Sequence, residues 1–161
     1  MAQASFHLGV VLERRPGVTA WSDEVWEPVA VLPGVPDAPA DTLLGPGKTP
    51  GSEHIYAGSY LMEWHRTDTP TYRDNLATGD PRIWVVLRPQ AEGPPRVFAI
   101  TADPAEGEMF TEAGNDQVDN VPMPAEIAAA LAEFIAEHHV ERVFIKRKRR
   151  DWASDEPDDM A

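Results

Sequence analysis

Alternating apolar and polar residues recur through the first hundred positions, and this pattern constrains the fold more than any other feature of the chain. In FHLGVVLER, Phe6, Leu8, Val10 and Leu12 occupy every second position. Successive side chains of a β-strand point to opposite faces, so this spacing predicts a strand with one buried face. The pattern therefore predicts a β-sheet in the first two thirds of the molecule.

Four later segments also predict strands: EVWEPVAVLPG, HIYAGSYLMEWHR, RIWVVLR and RVFAITA. Pro28 in the first of these favours an edge strand or a bulge, because proline cannot donate to a sheet ladder. Gly58 in the second also indicates a bulge. One face of that second segment is predicted to carry Tyr56, Tyr60, Met62 and Trp64. Residues 33–53 hold five prolines and four glycines, a composition that predicts a long loop.

The last third of the chain predicts helices. Asp103-Pro104-Ala105-Glu106 has the form of a capping box, so a helix is expected from there to about residue 113. Earlier in the chain, Thr69-Pro70 predicts the start of a short helical turn. A second long helix is indicated by an apolar stripe at helical spacing: Ile127, Leu131, Phe134, Ile135 and His138. The predicted class is α+β, with a curved, mostly antiparallel sheet of about five strands and two C-terminal helices packed on it.

A single α+β domain is expected over residues 1–141, since 161 residues suffice for one core. There is no cysteine, which excludes disulfides and thiolate metal sites in this chain. No apolar stretch approaches the length that spans a bilayer, and the first residues do not resemble an export signal. The expectations are therefore a cytoplasmic protein without membrane contact, with no cofactor and no metal site. The oligomeric state is left open.

Residues 142–161 predict a charged, flexible tail. They contain six basic and five acidic residues, and the basic ones lie between positions 142 and 150. The whole chain has a net charge of −13, so the remainder carries −14. A basic run beside an acidic body is typical of a docking arm, a nucleic-acid patch or an inert solubilising extension. We favour protein recognition, with Trp152 as an interface anchor, since tryptophan is enriched at binding hot spots.

Arg14 and Arg15 end the first predicted strand. Two guanidinium groups on an acidic body can grip a carboxylate or a phosphate in a bidentate manner. The alternative is a solvated strand end in which both arginines pair with nearby Asp or Glu. The predicted partner-binding residues are thus Arg14, Arg15, Lys146, Arg147, Lys148, Arg149, Arg150 and Trp152.

No catalytic residue is predicted. The Gly-x-Ser-x-Gly elbow and the Gly-rich phosphate loops are absent. His138 and His139 are adjacent, whereas metal-binding pairs on a helix favour a spacing of four, so a surface or capping role is preferred. The many carboxylates fit a solvated face better than a magnesium or acid–base pair.

Several blocks together resemble a bacterial family of unknown function: VVLERRPG, PVAVLPG, YRDNL, RIWVVLR, ITADPAEGE, VPMPAEIAAALAEFIAEHH and FIKRKRRD. The resemblance runs from about residue 6 to residue 151. Genes of this family tend to lie in formate dehydrogenase clusters, among accessory genes for molybdenum enzymes. Some members are labelled molybdopterin-guanine dinucleotide biosynthesis protein A.

The resemblance implies a role in the biogenesis of a molybdenum-dependent formate dehydrogenase. The preferred hypothesis is a non-catalytic accessory or assembly protein that binds a dehydrogenase subunit or a maturation factor. The label implies an alternative, a magnesium-dependent nucleotidyltransferase of molybdenum cofactor biosynthesis. That enzyme class has a Gly-rich loop with a basic residue after its first strand, and Glu13-Arg14-Arg15-Pro16-Gly17 lacks it. A nucleic-acid-binding regulator that acts through the basic tail is a further alternative.

Overall fold

The computed structural model describes residues 3–17, 24–34, 36, 38–112 and 114–138. Its strands are β1 (Ala4–Arg15), β2 (Val25–Leu32), β3 (Thr42–Pro46), β4 (Glu53–Trp64), β5 (Arg82–Arg88), β6 (Arg96–Thr101) and β7 (Gln117–Pro122). Its helices are a 3-10 turn (Arg66–Asp68), α1 (Thr69–Ala77), α2 (Pro104–Glu112) and α3 (residues 125–138). No helix among the described residues has the length and apolar character needed to cross a membrane.

The strands form two antiparallel sheets. The first has the order β2-β1-β4-β3 and the second β6-β5-β7. The α+β class is confirmed, but the prediction of one sheet of about five strands is wrong. Strand β3 lies inside the region 33–53 that was predicted to be loop, and β7 lies between the two predicted helices. Both are short, and pairing with a longer neighbour stabilises them more than their own sequences do.

Two predicted irregularities in the first sheet are confirmed. The β1–β4 register shifts between Val10 and Val11, opposite Gly58, which has a φ of 118°. The β1–β2 register shifts beside Pro28, and β2 is an edge strand. Each bulge adds one residue to β4 or β2, and beyond it the side chains of that strand point to the opposite face.

One apolar core joins both sheets and α3. Leu8, Val10 and Leu12 of β1 meet Ile83, Val85 and Leu87 of β5 in it, together with Val121, Ile127, Leu131, Phe134 and Ile135. Around Phe134 the rings of Phe6, Trp64 and Tyr72 pack with centroids 4.4–6.5 Å apart. The predicted apolar stripe of α3 therefore covers the core as expected.

The two shorter helices are fixed by different means. Helix α1 is tied down by buried Asn75, whose amide donates to the carbonyls of Arg82 (2.8 Å) and Ala102 (3.0 Å). Helix α2 is capped by Asp103, whose carboxylate accepts from the Ala105 N–H at 2.9 Å, as predicted. The second bond of a capping box is not formed, because Glu106 accepts from the Thr101 hydroxyl and the Asp103 N–H donates to that same hydroxyl. It lies so close to the second sheet that Gly107 faces the Trp84 ring directly. Both helices thus support the sheet that borders the candidate site.

Candidate functional site

Arg14 lies at the end of β1, opposite Trp26 of β2 and Glu53 of β4. Its guanidinium forms ion pairs with Glu53 and with Glu24, the latter at 3.5 Å from Nη1 to Oε2. The register of the sheet places Glu53 beside it, since directly opposed residues bring their side chains together. Arg14 therefore links β1 to β4 and to the residue just before β2.

Arg15 pairs with acids on its own strand and on β2. Its Nη1 contacts the Glu27 carboxylate and lies 3.7 Å from Oε2 of Glu13. Both predicted arginines are thus held by glutamates within the chain. These pairs correspond to the alternative of internal pairing, while binding of a partner by either arginine stays a prediction.

Glu13 is a buried carboxylate beside these arginines, with 3% of its surface exposed. Its Oε1 lies 2.9 Å from His54 Nε2 and 3.5 Å from the Lys48 backbone N–H. Burial raises the pKa of this carboxyl, but hydrogen bonds from His54 and Lys48 and attraction from His54 and Arg15 lower it more. The net result is a pKa below the ordinary value of 4.5, so Glu13 is anionic at neutral pH.

The turn between β3 and β4 covers Glu13. The Gly47 N–H donates to the Ser52 carbonyl at 2.8 Å, and the buried Ser52 hydroxyl donates to the Thr49 carbonyl at 2.6 Å. A side chain at position 47 would place Cβ 2.2 Å from Ser52 Oγ and 3.2 Å from Glu13 Oε1. Only glycine allows this turn to lie so close to the carboxylate.

An open groove of about 880 Å³ adjoins the arginines. It lies between the first residues of β2, the first residues of β7 and the loop that connects β5 to β6. Its described lining consists of Glu24, Val25, Trp26, Glu27, Pro89, Gln90, Ala91, Gly93, Pro95, Gln117 and Asp119. This volume is in the range of known ligand sites. Glu24 and Glu27, the partners of the two arginines, form part of its wall.

A smaller hollow of about 370 Å³ lies next to it, beside Arg88 and Asp116. The Arg88 guanidinium donates to both Asp116 oxygens, at 2.9 and 3.0 Å, and stacks on the Phe98 ring at 3.6 Å. The bond from Arg88 lowers the pKa of Asp116. The bidentate pair fixes the chain just before β7 and so positions the wall of the larger groove.

The predicted site residues are only partly brought together. Arg14 and Arg15 do not line the groove but pair with Glu24 and Glu27 in its wall. The other predicted residues lie outside the described part of the chain: Lys146, Arg147, Lys148, Arg149, Arg150 and Trp152. Sequence reasoning missed Glu13, His54 and Trp26 as members of this site. The signal for Glu13 was weak, since an acid before two arginines is typical of an exposed strand end. Among the described residues, no group of three or more His, Asp or Glu side chains is placed to hold a metal ion.

A family model described as "Protein of unknown function (DUF3305)" matches residues 7–150. The chain belongs to this family. The match includes β1 from residue 7 onward, the groove and all described helices, so the arginine end of β1 is part of the family's own fold. Neither a search of curated proteins nor a search of solved structures found a match. The family membership confirms the unknown-function part of the resemblance drawn from the sequence.

Proposed function

We propose that this protein is a non-catalytic accessory protein of the bacterial cytoplasm. It binds a subunit of a molybdenum-dependent formate dehydrogenase, or a factor that matures that enzyme. The choice of partner rests on the resemblance of several sequence blocks to the bacterial family described under the sequence. That resemblance implies a gene setting in formate dehydrogenase clusters. The binding role rests on one structural observation, the open groove beside Arg14 and Arg15.

The groove favours a macromolecule over a small substrate. It is open to solvent, and its described lining holds neither histidine, the commonest catalytic base, nor a serine nucleophile. Trp26 is half-buried in its wall and presents the kind of aromatic surface that interfaces use. Arg14 and Arg15 pair with Glu24 and Glu27, whose side chains are both partly exposed to solvent, so a partner carboxylate that replaced either glutamate would leave it hydrated and not buried.

The test is direct binding of the full chain to purified formate dehydrogenase subunits and maturation factors, measured on a biosensor. We expect saturable binding to one of them. A variant with Lys146→Gln, Arg147→Gln, Lys148→Gln, Arg149→Gln and Arg150→Gln should bind about tenfold more weakly or worse, because charged anchors contribute to both rate and affinity. Arg14→Gln should also weaken binding, and its partners Glu24 and Glu53 are exposed enough to remain hydrated.

The matched control is Arg73→Gln on α1, which removes one exposed positive charge away from the groove. It should bind like the unmodified chain. Absence of binding to every dehydrogenase subunit and maturation factor would refute the proposal. So would a rise in melting temperature that requires both GTP and magnesium, as nucleotidyl transfer predicts. Salt-dependent DNA or RNA binding that the five-glutamine variant loses would instead support the regulator.

A further inference from the structure

The groove lies between two sheet edges. Strand β2 is the last strand of the first sheet, and β7 is the last strand of the second. Residues of both line the groove, Trp26 from one side and Gln117 from the other. An edge strand presents backbone N–H and C=O groups that can pair with a further strand. The groove is therefore bordered by backbone as well as by side chains.

A side chain from one edge already bonds to the backbone of the other. The amide of Gln117 donates to the Trp26 carbonyl at 2.8 Å and to the Asp119 carboxylate at 2.8 Å. The Trp26 carbonyl thus points away from β1 and towards β7. Gln117 is exposed, so its amide can exchange with another donor at little cost. This carbonyl is the acceptor that an added strand would use.

The side chains of the groove select for positive charge. Glu24, Glu27 and Asp119 line it, and none of its described lining residues is basic. Arg14 pairs with Glu24 and Arg15 pairs with Glu27, and neither arginine lines the groove. The Asp119 carboxylate accepts a hydrogen bond from the neutral amide of Gln117. Val25 is 40% exposed and adds apolar surface beside Trp26. An extended segment with basic side chains matches both the charge and the shape.

The geometry points to this groove as the docking site for an extended segment of the partner protein that carries lysine or arginine side chains. The segment adds to the edge of β2 at its first residues, which border the groove, and its backbone N–H takes the place of Gln117 at the Trp26 carbonyl. Its cations lie beside Glu24, Glu27 and Asp119, and one of them can stack on Trp26. This inference rests on the proposed function, because it describes how that partner is held.

The probe is a fluorescent nine-residue peptide of alternating lysine and threonine, titrated into the full chain by anisotropy. A glutamate–threonine peptide of the same length is the charge control. We expect the lysine peptide to bind with an affinity that falls as salt rises, and the glutamate peptide not to bind. A lysine peptide with alternate backbone nitrogens methylated keeps its charge but loses its donors. It should bind about tenfold more weakly or worse if a strand is added.

Asp119→Asn should weaken binding of the lysine peptide about twofold to fivefold, as expected for one exposed ion pair. The matched control is Asp74→Asn on α1, which removes an equal charge from an exposed position on another face. It should leave the affinity unchanged. A second variant, Trp26→Phe, keeps an aromatic ring and should bind more weakly than the unmodified chain but better than Trp26→Ala.

Three outcomes would overturn the inference. One is no binding of the lysine peptide. Another is that the methylated peptide binds as tightly as the lysine peptide and that Asp119→Asn binds the lysine peptide as tightly as the unmodified chain does. That result would mean diffuse attraction to an acidic body. The third is binding at least tenfold tighter in the five-glutamine tail variant, which would make the chain's own basic run the occupant. If the chain binds a dehydrogenase subunit or maturation factor but not the lysine peptide, only this inference is wrong. If it binds the lysine peptide but none of those proteins, only the proposed function is wrong.

Discussion

At the scale of single residues, Glu13 is the group on which most local contacts depend. Its buried carboxylate accepts from His54 and Lys48 and lies near Arg15. Replacing it by Gln keeps the shape but weakens the charge-assisted bonds. We expect Glu13→Gln to lower the free energy of unfolding by about 1–3 kcal/mol at pH 7, measured by urea denaturation. Glu133→Gln on the exposed face of α3 should change it by less than about 0.5 kcal/mol.

The difference in the free energy of unfolding between the unmodified chain and Glu13→Gln should depend on pH, and the sign of this dependence follows from the pKa of Glu13. The folded-state pKa of Glu13 lies below 4.5, so its ionisation stabilises the fold above that pH. This contribution is lost as the pH falls from about 4.5 through the folded-state pKa. The unmodified chain should therefore lose stability over this range faster than Glu13→Gln. A gap between the two proteins that stays constant down to about pH 2 would show that the carboxylate is not the stabilising group.

At the scale of elements, the close approach of α2 to the second sheet depends on Gly107. A Cβ there would lie 2.5 Å from two atoms of the Trp84 side chain. Alanine favours helix by up to about 1 kcal/mol over glycine, but a forced clash costs about 1–3 kcal/mol. We expect Gly107→Ala to be net destabilising and to change the near-ultraviolet signal of the tryptophans.

The control for this prediction is Gly34→Ala. A Cβ at position 34 meets no atom of the described residues within 4 Å, and the backbone there does not require glycine. This substitution should be neutral or slightly stabilising, since it restricts the unfolded chain. If Gly107→Ala proved as stable as Gly34→Ala, helix α2 would have room to shift, and the close packing on Trp84 would be unimportant.

At the scale of the whole molecule, both sheets and α3 share one core, and Leu131 is fully buried in it. Leu131→Ala should lower the free energy of unfolding by about 2–5 kcal/mol. Because the core is shared, circular dichroism and tryptophan fluorescence should report one coincident transition in both proteins. Two separated transitions would mean that the sheets unfold independently, against the prediction of a single domain.

The sequence predicted those elements whose pattern is local. Strands β1, β2, β4, β5 and β6 follow from alternation, and α2 and α3 follow from a cap and an apolar stripe. It failed for β3 and β7. Leu43 and Leu44 are exposed, and the segment QVDNVP is polar, so neither strand carries an apolar pattern of its own. Their pairing with β4 and β5 is a long-range contact, and single-sequence reasoning does not contain it.

The candidate site shows the same division. Arg14 and Arg15 stood out by residue type, but their glutamate partners depend on which strands pair. A bulge also changed one predicted face. Tyr56 was expected beside Met62 and Trp64, yet it is buried against Gly9 and does not belong to the apolar cluster that contains them, because the shift at Gly58 reverses the alternation. Trp26 could not be assigned to a groove before the two sheet edges were known.

The position of α3 in the chain has a consequence for synthesis. The helix supplies four buried side chains to the core, Ile127, Leu131, Phe134 and Ile135, and it follows all seven described strands in the chain. A ribosome therefore releases the four strands of the first sheet, and β5 and β6 of the second, before it releases the helix that covers them. Until α3 is released, the apolar faces of these strands stay exposed to solvent, and exposed apolar surface makes a nascent chain prone to aggregate. The core should form only after α3 has left the ribosome, so products arrested before α3 should be clients for chaperones.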